Sequence, residues 1–211
     1  MTQNYHNTVF INCPYDDEYN HILKPIIYVL VKAGMYPIFA SDVRDSGNMR
    51  LERIFTMIKS AKFSIHDLSA IYFPEDEPAR FNMPFECGID FGCRYYLPQE
   101  YGDKKFLILE EKKHSLRPAF SDINGVDPSA HNNCGEQAAK IVRNWAVSNF
   151  IPREERARFP SGRRLHNAFT DFLVDHIDYL INEEMYTKEE ALSQTRDDFV
   201  LAVTYLDRTS L

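Results

Sequence analysis

The sequence predicts an α/β protein built on a parallel sheet with helices on both faces. Three observations predict it. Short β-forming runs alternate with helical segments over roughly the first 150 residues. The 211-residue chain is 44% hydrophobic, with 15 Phe and 12 Tyr, enough for a sizeable core in one domain with an appendage. Beyond Pro152 helical periodicity continues with no strand between its segments.

Residues 8–13, TVFINC, are rich in β-formers and end at Pro14, which marks a buried first strand. The polar PYDDEYN leads into a helix over 21–34, HILKPIIYVLVKAG, with Pro25 expected near its first turn and Gly34 as its stop. MYPIFA, 35–40, reads as the second strand. After a polar loop, LERIFTMIKSA at 51–61 places Leu51, Ile54, Phe55 and Ile58 on one helical stripe. KFSIHDLS, 62–69, reads as the third strand, with His66 and Asp67 where the chain leaves the sheet. An acidic loop at 71–80 precedes a helix opening in FNMPFECGIDFGC, 81–93, whose Gly88 and Gly92 suit close packing on a sheet. KKFLILEEK, 104–112, follows a PQEYGD turn as the fourth strand, and FSDINGVD, 120–127, supplies a short fifth. The helix CGEQAAKIVRNWAVSNF, 134–150, carries Trp145, the single tryptophan.

This order gives a flavodoxin-like three-layer domain with a parallel sheet of about five strands over residues 1–150. Residues 151–211 form a helical extension, with helices at 165–185 and 187–208 and a capping-box signature at Thr187 and Glu190. That extension is free to cover the sheet domain, to join a second copy in a homo-oligomer or to bind another chain, and the sequence does not choose.

Composition narrows the function. A formal charge of −7 opposes general nucleic-acid binding, which needs a positive footprint. The arginines between 153 and 164 interleave with glutamates and a Pro-Ser-Gly break, the pattern of a solvated linker. No run approaches the ~18 apolar residues of a membrane span, and the N-terminus lacks a leader pattern, so a cytoplasmic protein without a membrane partner is expected. Cys13, Cys87, Cys93 and Cys134 show neither a CxxC pair nor metal-ligand spacing, which points to reduced thiols and no metal.

Ligands of open α/β sheets bind beyond the carboxyl ends of the strands. Here that edge collects Asn12, Pro14 and Tyr15 after the first strand, and Ser41, Arg44, Ser46 and Gly47 after the second. His66, Asp67 and Ser69 follow the third, beside Asn82 and Glu86. GxGxxG, GxxxxGK[ST] and GxSxG motifs are missing, which removes the main support for dinucleotide redox, P-loop and acyl-transfer chemistry and leaves a carboxylate site. Glu86 has a bland alternative as a capping-box residue three positions after Met83, with Pro84 opening the helix. Asp67 has one as a turn-former, and His66 one as a packed side chain.

VFINCPYDDEY resembles the first strand and loop of Toll/interleukin-1 receptor (TIR) domains. SIHDLS with FNMPFECGIDFG resembles the nucleoside 2-deoxyribosyltransferases. The likeness spans residues 8–92. It implies cleavage of an N-glycosidic bond, with Glu86 as catalytic carboxylate, Asp67 orienting the sugar or leaving group, and Asn12 and the 41–48 loop lining a nucleotide pocket. Arg80 stands where the transferases carry a second acid, and Pro84-Phe85 where TIR enzymes carry Trp-Cys. With one carboxylate, a leaving group that is already cationic, such as nicotinamide, is favoured. The expectation is therefore an N-glycosidase acting on NAD or a related nucleotide, with NAD as substrate and no bound cofactor, in a setting such as bacterial anti-phage defence. Two alternatives stand beside it: a nucleoside deoxyribosyltransferase or hydrolase, and a non-catalytic nucleotide-sensing or assembly module.

Overall fold

The computed structural model describes residues 3–39, 50–71, 81–116, 118 and 126–206. Five strands form one parallel sheet: β1 (Thr8–Asn12), β2 (Tyr36–Phe39), β3 (Phe63–Asp67), β4 (Lys105–Glu110) and β5 (Ser129–Ala130). Their order is β2-β1-β3-β4-β5, the flavodoxin-like arrangement. Eight helices are described: α1 (Asn20–Lys32), α2 (Arg50–Ser60), α3 (Asn82–Tyr96), α4 (Pro98–Tyr101), α5 (Gly135–Asn149), α6 (Gly162–Asn182), α7 (Lys188–Leu192) and α8 (Arg196–Tyr205).

Every residue of β1 and of β3 is buried. Both are interior strands, and an interior parallel strand is covered on its two faces, so it reads as a continuous run rather than an alternation. Strand order reverses between β1 and β3, where Asn12 and His66 are register partners. That reversal is the switch point at which such sheets open a crevice. Of the expected α2 stripe, Ile54 and Ile58 seat against Phe10 with Met57 beside them, whereas Phe55 is exposed; Met83 and Cys87 of α3 pack with Leu68, Ile108 and Leu116.

The chain divides into two compact units. One holds Thr2–Tyr15 and Tyr36–Asn133, hence the whole sheet with α2, α3 and α4; the other holds Asp16–Met35 and the chain from Cys134 onward. In the helical unit α1 packs with α5, α6 and α8, and the Tyr28 ring lies 5.9 Å from Phe169 and 6.0 Å from Phe172. Two glycines set its spacing. A Cβ on Gly135 would stand 2.5 Å from the His21 carbonyl oxygen, and one on Gly162 would stand 2.5 Å from the Lys140 Cα.

Several expectations need correction. Pro25 lies inside α1 rather than at its first turn, and the hydrogen bond it forgoes would have gone to His21, the carbonyl against which Gly135 packs. The fifth strand of the described sheet is Ser129–Ala130, paired with Leu109 and Glu110, just beyond the expected segment 120–127. Of that expected segment only 126 and 127 are described, and neither is strand. The turn before β4 contains the short α4, and the second C-terminal helix is two, because Thr195 caps a fresh start through the Asp198 amide. Gly88 and Gly92 do not pack closely on the sheet: a Cβ on Gly88 would meet nothing within 4 Å, and one on Gly92 only the Tyr96 ring at 3.7 Å. The capping box at Thr187 and Glu190 is present. Gly34 ends α1 at φ 79°.

Candidate functional site

Helix α3 begins at Asn82, with Phe81 in the cap position and no side-chain cap bond. Glu86 is therefore the fifth helical residue, too far along for a capping box, and that bland reading fails on geometry. The buried residues of α3 are Met83, Glu86, Cys87 and Asp90, an i, i+3, i+4, i+7 stripe facing inward. Glu86 is 3% exposed, and its Oε2 is buried without a hydrogen-bond partner among the described residues. Burial pushes its carboxyl up to about 7, against a smaller downward pull from the Arg50 guanidinium. Arg50 lies over the Tyr15 ring at 5.5 Å, which brings Tyr15, Arg50 and Glu86 into one neighbourhood.

Asn12 ends β1 fully buried and anchors a polar chain. Its amide nitrogen donates to the Met83 carbonyl at 2.8 Å and lies 3.1 Å from His66 Nδ1. Because the Met83 oxygen can only accept, the amide nitrogen is the group on that side, and His66 Nδ1 is its second acceptor. The imidazole proton then sits on Nε2, which donates to Asp90 Oδ2 at 3.2 Å. Lys104, fully buried, pairs with Asp90 Oδ1 at 3.1 Å and donates to the carbonyls of Ile58, at 2.7 Å, and Ala61. Burial alone would raise the Asp90 carboxyl, but the His66 bond and the Lys104 charge outweigh it and hold it below its ordinary value. The chain fixes the Asn12 side chain and leaves its Oδ1 buried with no partner among the described residues.

Asp67 belongs to a second cluster. Side chains alternate along β3, so it takes the opposite face of the sheet from His66. Its Oδ1 accepts from the Ser69 amide at 2.9 Å and from the Ser69 hydroxyl, and its Oδ2 lies 3.1 Å from His131 Nε2. Nε2 is also 2.8 Å from Ser69 Oγ, while Nδ1 accepts from the Asn133 amide at 3.1 Å. With Nδ1 accepting, Nε2 bears the proton and cannot take one from Ser69, so the trio is not a nucleophilic triad. It ties the exit of β3 to the turn after β5.

Asn12, His66 and Glu86 are thus gathered near the switch point, Pro14 is buried beside them in sequence, and Tyr15 is half-buried under Arg50. Asn82 is exposed on the first turn of α3. Ser41, Arg44, Ser46 and Gly47, with Arg80, lie outside the described residues. Four functional neighbours were missed from sequence: Arg50, Asp90, Lys104 and His131. Asp90 had a usable signal, four residues after Glu86 on one helical face; the others sit far from their partners along the chain.

Four acids are buried among the described residues: Asp67, Glu86, Asp90 and Glu110. Glu110 accepts from the His114 and Leu116 amides at 2.8 and 3.1 Å. Asp67 and Asp90 are engaged as above. Glu86 Oε2 and Asp90 Oδ1 both lack a hydrogen-bond donor among the described residues, but Asp90 Oδ1 faces the Lys104 ammonium at 3.1 Å, whereas Glu86 makes no ion pair there. Burial raises the Cys87 thiol to about 12, so the neighbouring sulfur is no nucleophile. All four cysteines are free, and among the described residues no cluster of three or more His, Cys, Asp or Glu could hold a metal. No helix there is long and apolar enough to cross a membrane. No family model and no curated protein matches the sequence.

Proposed function

We propose that this chain is an N-glycosidase that cleaves the ribose–base bond of NAD or a related nucleotide, with Glu86 as its reactive carboxylate. The observation that carries this reading is a buried carboxyl, Glu86, whose Oε2 has no donor and which makes no ion pair among the described residues, set beside the switch point of the sheet. Asn12 Oδ1 is a second buried acceptor in want of a donor. Ribose hydroxyls supply what both lack.

As the C1′–N bond breaks, positive charge builds on the sugar, and an adjacent carboxylate stabilises it or captures C1′. Water then takes C1′, giving ADP-ribose, nicotinamide and a proton. Nicotinamide enters as a cation and leaves neutral without being protonated, so a single carboxylate suffices. The same positive ring favours ionisation of a carboxyl that stands near 7 in the free protein. The resemblance to TIR domains supports this substrate and a bacterial-defence setting, and the apolar Val174, exposed on α6, supports self-assembly through the C-terminal helices.

The raised carboxyl also supports a second reading, hydrolysis or transfer of a neutral nucleoside, in which a protonated Glu86 serves as general acid. The deciding experiment incubates the purified protein with NAD and separately with 2′-deoxynucleosides and follows free base. Nicotinamide release that rises with pH through about 7 and is lost in Glu86→Gln is the expected result. Release of base from deoxynucleosides alone, falling as pH rises, favours the second reading. Equal turnover by Glu86→Gln would remove the carboxylate from either.

A further inference from the structure

In the helical unit, a cavity of about 340 Å³ opens where α6 and α8 end. Its floor is apolar, from Leu180, Leu201 and Ala202, and its walls carry Tyr179, Tyr186 and Tyr205 with Glu184 and Asp198. Among the described residues no lysine or arginine lines it. His176 adds no compensating charge: burial lowers its pKa, and its Nε2 faces the Gln194 carbonyl oxygen at 2.9 Å, while its ring stacks on Phe172 at 5.4 Å. The C-terminal turns of α6 and α8, which line it, add the partial negative charge of a helix end. Cations are favoured in such last turns, yet neither α6 nor α8 has a basic residue there.

We propose that this cavity is a binding site for a small organic cation of the alkylated-ammonium class. Tyrosine faces attract a cation by their ring quadrupole, and a methylated ammonium, weakly hydrated, gives up little water on entering an apolar floor. The walls are fixed before any ligand arrives. Met185 adopts the left-handed conformation at φ 60°, a position that usually takes glycine, and the Tyr186 amide closes back onto the Leu180 carbonyl at 2.9 Å. This turn, held by a residue that is strained there where glycine would not be, carries Glu184 and Tyr186 to the rim. The Tyr179 hydroxyl donates to Glu184 Oε1, which orients the carboxylate beside the ring. Asp198 is held in turn by the Thr195 hydroxyl at 2.6 Å.

The full-length protein is titrated calorimetrically with choline and with 3,3-dimethylbutan-1-ol, its uncharged counterpart of the same shape. Saturable choline binding, with the alcohol at least tenfold weaker, is expected. Tyr205→Leu, at a ring 68% exposed, removes one aromatic face without opening the core and should weaken choline between about twofold and thirtyfold. Glu184→Gln should weaken it further and flatten its salt dependence. No saturable binding, equal affinity for alcohol and cation, or unchanged affinity in both variants would each overturn the proposal. Because Glu86 is in the other compact unit, Glu86→Gln should leave choline binding intact. Failure of this site therefore reads separately from failure of the glycosidase.

Discussion

Because burial lifts the Glu86 carboxyl from 4.5 to about 7, the folded protein keeps that proton over a pH range in which the unfolded chain has released it. The favourable contribution is complete below about 4.5 and is lost as pH rises through about 7, so this residue lowers stability at neutral and alkaline pH. Glu86→Gln removes the titration while keeping the shape. The variant should melt higher than wild type at pH 8, by on the order of 2 kcal/mol, and converge with it near pH 4, as denaturant titrations at the two pH values would show. Equal stabilities at pH 8 would mean the carboxylate has a donor in the folded protein. Lys104 behaves in the opposite sense. Lys104→Met leaves Asp90 buried without its ammonium partner and should cost about 3–5 kcal/mol, measured by urea unfolding. A loss under 1 kcal/mol would show that solvent reaches the pair.

Among the elements, three glycines that look alike in sequence should separate when replaced. An alanine at Gly135 or at Gly162 forces a Cβ into backbone 2.5 Å away and should cost about 1–3 kcal/mol, because helix backbones cannot yield as a flexible side chain would. At Gly88, exposed within α3 and open beyond 4 Å, alanine should instead raise stability by about 0.5–1 kcal/mol. Thermal melts of the three variants would settle the order. Only local chemistry distinguishes what the sequence could reveal here. β1, the α2 helix with Ile54 and Ile58 facing inward, and the Thr187 cap are written in neighbouring residues and were legible, while Phe55 is exposed. The two-residue β5 was not, since it exists through pairing with Leu109 and Glu110 rather than through its own propensity. That Glu86 sits near the start of a helix was legible from the small and apolar residues around it. Its lack of a donor was not, and neither was the Asn12–His66–Asp90–Lys104 chain, whose members come from β1, β3, α3 and the entry to β4.

For the whole molecule, the division into units gives the C-terminal helices a structural role. Leu165, Phe169 and Phe172 of α6 and Phe199 and Val203 of α8 are buried, and α1 and α5 pack against these helices. Truncation after Pro152 should therefore expose apolar faces of α1 and α5, and the shortened protein should aggregate or lose its cooperative melt. A soluble truncated protein with an unchanged melting temperature, by light scattering and calorimetry, would show that the two helices are dispensable.

The path of the chain through its two units also bears on how it is made. α1 leaves the ribosome early, with Ile22, Leu23, Ile26, Ile27 and Leu30 on it, all of which end up buried. Its partners α5 and α6 follow only after the stretch Tyr36–Asn133, which folds into the other unit, has been synthesised. At about 5–20 residues per second, the roughly hundred intervening residues leave that apolar helix waiting for some 5–20 s. A nascent chain arrested before Cys134 should thus bind chaperones through α1. A circular permutant that places α1 directly ahead of α5 should shorten the wait and refold with less aggregation.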